Sequence, residues 1–264
     1  MDREIGSRRR HAYAVCALLC SALAVPASGL ASSGGSGLTP GDSGTTPTGT
    51  TPTGTPAAGG QPDVQSGDTT VSTTGNGVTL QTRASAMLRN GLGFSGTAPE
   101  SLAGDTVEIQ RLGHETAWTW APTVSATIGP DGTFTTVWNT DHIGRFQMRA
   151  VISSPNVASA ATTTPPLTTT VYRPSRATQY GPGFYGHKTA CGQKLRAGTI
   201  GVAKRTLTCG MDVAIYYRGR TLEVPVIDRG PYANGADWDL TEATGRALGI
   251  AGTAQIGAVS LPVQ

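Results

Sequence analysis

Val226-Ile227-Asp228-Arg229-Gly230-Pro231-Tyr232, followed ten residues after Asp228 by Trp238-Asp239-Leu240-Thr241, is the stretch on which the reading of this chain turns. Leu222, Val224 and Val226 alternate along a strand that ends at Asp228. Thr241 has the chemistry of a helix N-cap and Gly249 that of a helix stop, so a short helix is expected from Thr241 to about Leu248. Val213, Ile215 and Tyr217 alternate upstream, and Val259, Leu261 and Val263 form a closing strand. Short strands joined by glycine-rich connections predict a compact barrel over residues 173–264, closed so that no strand edge is left unpaired.

Several further segments appear in order. They are Ala177-Thr178-Gln179-Tyr180-Gly181-Pro182-Gly183-Phe184-Tyr185-Gly186, then His187-Lys188-Thr189-Ala190-Cys191-Gly192, then Gly201-Val202-Ala203-Lys204-Arg205-Thr206-Leu207-Thr208-Cys209-Gly210. With the Asp-Arg-Gly-Pro-Tyr and Trp-Asp-Leu-Thr motifs, they resemble the rare lipoprotein A family of double-psi β-barrels, which includes septal-ring lytic transglycosylases. The cysteines match a disulfide-containing, actinobacterial variant. The resemblance runs over about a third of the chain. It implies a six-stranded barrel with one short helix, and a looser kinship with expansins and a cellulase family.

Cleaving a glycosidic bond needs an acid to protonate the leaving oxygen, and hydrolysis usually needs a second carboxylate. A lytic transglycosylase uses the sugar's own C6 hydroxyl as nucleophile, so one group can serve as acid and then as base. The resemblance makes Asp228 the first catalytic candidate and Asp239 the second. His187, the domain's only histidine, is the third. Competing structural roles are loop hydrogen bonding for Asp228 and helix capping for Asp239. Tyr180, Phe184, Tyr185, Gln193, Lys204, Arg229, Tyr232 and Trp238 are the expected substrate contacts. Two positions depart from the family: Gln193 stands where active members carry Glu, and Lys204 where they carry His. These departures leave two readings level, a transglycosylase acting through Asp228 and a barrel that binds wall glycan without cutting it. Expansin-like loosening and a scaffold serving a protein partner are the remaining alternatives. No cofactor and no metal are expected, since Cys191, Cys209 and His187 are too few ligands for structural zinc.

Arg8, Arg9 and Arg10 precede an apolar run from Ala12 to Ala24 and small-residue exits near Ala27 and Ala31, the pattern of a secretory signal over 1–31. Its removal takes away Cys16 and Cys20. Cys191 and Cys209 then remain as an even pair in an exported protein, which reads as a disulfide. Residues 32–70 hold ten Gly, ten Thr, five Pro and five Ser, with a five-residue repeat at Pro47 and Pro52. Such a segment buries too little apolar surface to offset its chain entropy and is expected to be a disordered tether.

Residues 71–172 have period two. Val78, Leu80 and Thr82, then Val107 and Ile109, then Phe134, Thr136 and Trp138, then Phe146, Met148, Ala150 and Ile152 mark short strands separated by turns such as Pro130-Asp131-Gly132. This predicts an antiparallel β-sandwich that resembles a bacterial immunoglobulin-like module. Trp118 and Trp120 are expected on one face of a strand, as core packing or as a sugar platform. The fold class is therefore all-β. Net charge is only +3, too weak to argue for nucleic acid. Residues 173–264 nevertheless carry eleven bases against six acids, which favours an anionic polymer such as peptidoglycan. No apolar run approaches the length of a membrane span. An extracytoplasmic, wall-associated monomer satisfies these features.

Overall fold

The computed structural model describes residues 62–153, 161–232 and 235–262. The expected signal, and the expected tether up to residue 61, lie outside the described residues, as does Val263. A two-residue strand β1 (Gln65–Ser66) precedes a run of short strands: β2 (Thr70–Gly75), β3 (Val78–Arg83), β4 (Ser85–Met87), β5 (Gly91–Thr97), β6 (Thr106–Leu112), β7 (Ala121–Thr127), β8 (Thr133–Asn139), β9 (Gly144–Ser153) and β10 (Thr162–Thr163). The C-terminal part adds β11 (Leu167–Tyr180), β12 (Val202–Ala203), β13 (Asp212–Tyr217), β14 (Arg220–Asp228), β15 (Trp238–Thr241), helix α1 (Glu242–Leu248) and β16 (Ala254–Leu261).

The alternation read from the sequence becomes burial. β2, β3, β5 and β8 form one antiparallel sheet, and β7, β6, β9 and the first half of β11 form the facing one. Leu80, Leu92, Phe94, Phe134 and Trp138 from the first sheet meet Val107, Ile109, Phe146, Met148 and Ile152 from the second in one core. Trp138 packs edge-on against Phe146 at 5.6 Å. Trp118 and Trp120 correct the expectation, because neither lies on a strand. Trp118 follows a short 3-10 turn (His114–Thr116) and holds a left-handed backbone, φ +57°, while Trp120 precedes β7.

The second body is a closed ring of six strands in the order β11-β15-β12-β14-β13-β16, with β16 pairing back to β11. Val202, Val213, Ile215, Leu222, Val224, Val226, Leu240 and Ile256 fill it. The Thr241 hydroxyl accepts from the Thr244 N–H at the start of α1, and Gly249 ends the helix with φ +77°. That left-handed conformation is one glycine adopts at no steric cost.

The two bodies share a strand. The first half of β11 pairs with β9 (Leu167–Val171) and the second with β16 (Arg173–Ala177) and, in parallel, β15 (Ala177–Tyr180). The expected boundary at 172/173 falls inside this strand. A small third cluster seals the junction, with Tyr172, Ala214 and Val259 buried against Met87, Ile143, Tyr216 and Leu261. Arg145 pairs with Glu223 across the junction at 2.5 Å. The last part of the expected tether is built into the fold: Gln65 and Ser66 pair with Thr221 and Arg220 of β14, and the Tyr216 hydroxyl donates to Asp68 at 2.7 Å. No helix of the described residues is long and apolar enough to cross a membrane.

Leu240 is completely buried on β15, between the two strands that close the ring. Leu240→Ala is expected to cost about 2–5 kcal/mol in urea unfolding, whereas Val137→Ala, at an exposed position, should stay within about 0.5 kcal/mol of the parent.

Candidate functional site

Strand register builds the site. Ala203 of β12 lies opposite Asp228 of β14 on one side and opposite Asp239 of β15 on the other, and Asp239 lies opposite Thr178 of β11. Directly paired residues share a face of a sheet. Asp228, Ala203, Asp239 and Thr178 therefore form one row across four strands, with the Ala203 methyl as the low point between two carboxylates. Alternation along β11 puts Tyr180 on the same face as Thr178. A bulge sets this up. Val202 pairs with Val226 but Ala203 pairs with Asp228, so Ile227 is the extra residue. Without the bulge, Ile227 would face Ala203; bulges re-aim side chains in this way at the ends of strands.

The two carboxylates have different surroundings. Asp228 Oδ1 accepts from the backbone N–H groups of Ala190 and Arg229, both at 2.8 Å. The loop-binding role weighed for Asp228 is thus real, and it leaves Oδ2 uncommitted among the described residues. Asp239 accepts one bond, from the Thr178 hydroxyl at 2.9 Å. Burial holds the Asp239 carboxyl above its ordinary range, and the negative charge of Asp228 adds to the effect, against the Thr178 bond. The helix cap belongs to Thr241, not to Asp239. Burial, with both aspartates, also pushes the Tyr180 phenol upward, so it stays a hydrogen-bond donor.

Among the described residues, two buried side-chain polar atoms lack a partner, the Tyr180 hydroxyl and Thr189 Oγ1. Both border this row: Tyr180 lies within the field of both carboxylates, and Thr189 precedes the amide that binds Asp228. A buried, unsatisfied hydroxyl costs free energy, and two beside one carboxylate mark where a polar ligand or water completes the bonding.

Lys204 stands over the Trp238 ring at 4.3 Å, and its Nζ donates to the Asp237 carbonyl at 2.7 Å. Burial lowers its pKa, opposed by Asp237. Trp238, an expected substrate contact, is buried in the barrel core, and Lys204 covers its ring. Arg205 donates to the Pro231 carbonyl at 2.6 Å and Arg229 to the Asp228 carbonyl at 3.4 Å, so both brace the loop that follows β14. Cys191 and Cys209 are bonded, with Cα atoms 5.6 Å apart. The Cys191 N–H bonds the Ile227 carbonyl and the Gly210 N–H the Val226 carbonyl, so the disulfide joins two loops that both rest on the end of β14.

Phe184 and Tyr232 are exposed aromatics at the periphery, and Phe184 packs edge-on against Tyr180 at 6.1 Å. The Tyr185 hydroxyl donates to Glu242, which also pairs with Arg246. The side chains of His187 and Gln193 are exposed and have no hydrogen-bond partner among the described residues; the Gln193 carbonyl accepts from the Thr189 N–H at 2.8 Å, one residue before the amide that binds Asp228. Sequence reading missed Thr178, Thr189 and Glu242. Only the alternation of Thr178 with buried Ala177 pointed to an outward hydroxyl.

No protein-family model matches the chain. Three curated proteins named probable endolytic peptidoglycan transglycosylase RlpA are similar to it. That of Synechocystis is 36% identical over 89 residues, 33% of this chain and 27% of that one. Those of Aquifex aeolicus and Nostoc are 38% and 35% identical over 28% of this chain, and 34% and 20% of their own lengths. The chain thus spans a fifth to a third of the relatives it matches. Among solved structures, a Streptomyces papain inhibitor is 26% identical over 34% of this chain and 93% of that one, with TM-score 0.29. A tandem-repeat region of a large adhesion protein is 13% identical over 73% of this chain and 50% of that one, with TM-score 0.30. The closed six-stranded barrel and the three curated matches fit the RlpA-like double-psi β-barrel family.

The raised Asp239 carboxyl has a sign for stability. A folded-state pKa above the ordinary 3.8 penalises the ionised native state at neutral pH, and the penalty disappears as the pH falls through the folded value towards 3.8. Asp239→Asn keeps an acceptor for Thr178 and removes the charge. It should therefore raise thermal stability at pH 7, with the gain vanishing below about pH 4.

Proposed function

We propose that the barrel holds a peptidoglycan glycan strand along the Asp228–Ala203–Asp239–Thr178 row and cleaves it as a lytic transglycosylase. The observation that carries this reading is the pairing, on one face and around one methyl group, of a carboxyl kept up by burial with a carboxylate held by backbone amides. Two carboxyl groups in unlike environments divide acid from base. Asp239 gives its proton to the glycosidic oxygen as the bond from C1 breaks. Asp228 faces the positive charge that develops on the ring. The C6 hydroxyl of the same sugar then attacks C1, and its proton passes to Asp228, leaving a 1,6-anhydro product. Asp228 then releases that proton to solvent and Asp239 takes one up, so both carboxyl groups return to their starting states. The Tyr180 phenol donates a hydrogen bond to a sugar oxygen in the groove.

The curated relatives carry the words peptidoglycan transglycosylase in their names, and this chain matches them over the barrel's length of sequence. The excess of bases in residues 173–264 suits a polymer with carboxylates. Such a substrate places the protein outside the cytoplasm, in agreement with the signal pattern in residues 1–31. A second reading, glycan binding without cleavage, is favoured by one observation. Lys204, at the position of the family's His, is engaged with Trp238 and the Asp237 carbonyl.

Purified peptidoglycan, intact and stripped of stem peptides, incubated with the mature protein should release anhydro-muropeptides detectable by mass spectrometry. Asp228→Asn and Asp239→Asn should each lower their yield by roughly 100-fold or more while the protein still pellets with the polymer. Release should decline as the pH rises through the Asp239 pKa, because only the protonated carboxyl serves as acid. Pelleting without products would establish the binding reading, and neither pelleting nor products would overturn both. In the binding case, Gln193→Glu combined with Lys204→His should create measurable release.

A further inference from the structure

A concavity of about 530 Å³ opens where the sandwich meets the barrel, and its lining includes neither Asp228 nor Asp239. Its sandwich side holds Trp118, His114 and Gln147, and its barrel side Leu207, Met211 and Leu261. The volume lies in the range of ~300–1,000 Å³ typical of ligand sites. Trp118 is held there at a backbone cost: it and Ala117 are consecutive non-glycine residues with left-handed backbones, φ +57° and +50°. Bulky residues rarely adopt that conformation, and where it persists the surroundings impose it, often at binding sites. The neighbouring tryptophan is different. The Arg149 guanidinium covers the Trp120 ring at 4.0 Å, so Trp120 is already stacked within the protein. No cation–ring or ring–ring pair engages Trp118 among the described residues.

The cleft and the groove share a wall. Lys204 and Arg205 border the groove, Leu207 and Met211 line the cleft, and Cys209 between them is tied to Cys191 beside Asp228. The Cα atoms of Lys204 and Leu207 are at most about 11 Å apart, a limit set by chain geometry. An extended polymer leaving the groove over this loop therefore meets Trp118 after a few units. From this continuity we infer that the Trp118 cleft is a distal subsite for the same glycan strand, with the indole as stacking platform and His114 and Gln147 as hydrogen-bonding groups at its rim. The inference rests on the barrel groove being a glycan site. It gives the middle module a substrate-binding role and makes strand length a determinant of affinity.

The test uses the mature chain carrying Asp228→Asn, so that bound strands stay intact, and purified glycan strands freed of stem peptides and sorted into short and long fractions. Intrinsic tryptophan fluorescence and sedimentation read binding. Long strands should bind at least tenfold more tightly than short ones. Trp118→Ala should abolish that difference while leaving short-strand affinity unchanged, Trp118→Phe should restore most of it, and Trp120→Ala should preserve it. Matching circular dichroism and thermal midpoints establish that the variants fold. Long-strand affinity unaffected by Trp118→Ala would overturn the distal subsite and leave the barrel reading intact. Binding of the long fraction only when stem peptides are retained would overturn it in favour of a peptide occupant. Failure of every fraction to bind the parent would overturn the barrel reading and this inference together.

Discussion

The register of one strand governs both the fold and the site. β11 runs for 14 residues, first as a member of the sandwich sheet and then as a stave of the barrel, and ends at Tyr180. A one-residue slip would turn every side chain of the strand to the opposite face. Leu167 and Val171 are buried in the sandwich core and Ala177 in the barrel core, so two separate hydrophobic cores forbid the slip. The same register places Thr178 against Asp239 and Tyr180 beyond it. Packing far from the groove thereby fixes which hydroxyls enter it. Pro174, which has no N–H to donate, falls between the β4 pairing at Thr170–Tyr172 and the β15 pairing at Ala177–Tyr180, in a stretch of β11 paired with β16 alone.

Within that frame, the chemistry comes from unequal solvation of two like groups. Asp228 is satisfied by amides from its own loop and from the disulfide-bearing loop; Asp239 has one neutral donor and is half-buried. Two carboxylates on one face repel, and burial decides which of them keeps the proton. The bulge at Ile227 makes this possible, since strict alternation along β14 would aim Asp228 into the barrel with Val226. The unpartnered Tyr180 and Thr189 hydroxyls extend the polar lining on either side of the pair. A polyhydroxylated ligand can satisfy such scattered single donors and acceptors, which an apolar ligand would leave unpaired.

Much of this was legible because burial here follows period two. Leu222, Val224 and Val226, like Phe146, Met148, Ala150 and Ile152, alternate in sequence and are buried in the structure. Thr241 and Gly249 carried the helix ends in their own chemistry. The pair Cys191–Cys209 was readable once export was inferred. What escaped depends on neighbours distant in sequence. Trp238 lies in a polar motif, and its burial comes from barrel closure, which the motif does not encode. Trp118 and Trp120 look like a strand pair, but Gly113 starts a tight turn whose geometry the alternation does not encode. Residues 62–70 share the composition of the segment before them, yet Gln65 and Ser66 find a free stretch of β14 and Asp68 finds Tyr216. Composition predicts too little apolar burial for a segment to fold alone, and says nothing about a ready-made edge it can join.

That edge pairing also sets where the strap stands relative to the candidate site. The strap meets β14 at Arg220 and Thr221, and Asp228 lies at the other end of the same strand. At the rise of an extended strand the two points are about 25 Å apart. The strap thus joins the barrel at the end of β14 remote from the carboxylates. The Arg145–Glu223 pair and the Tyr172 cluster tie that region to the sandwich. The groove end of β14 is held separately, by the Ala190 and Lys204 amides and by the disulfide that joins their loops. The contacts through which the strap joins the fold are therefore not the contacts that set the geometry of the row.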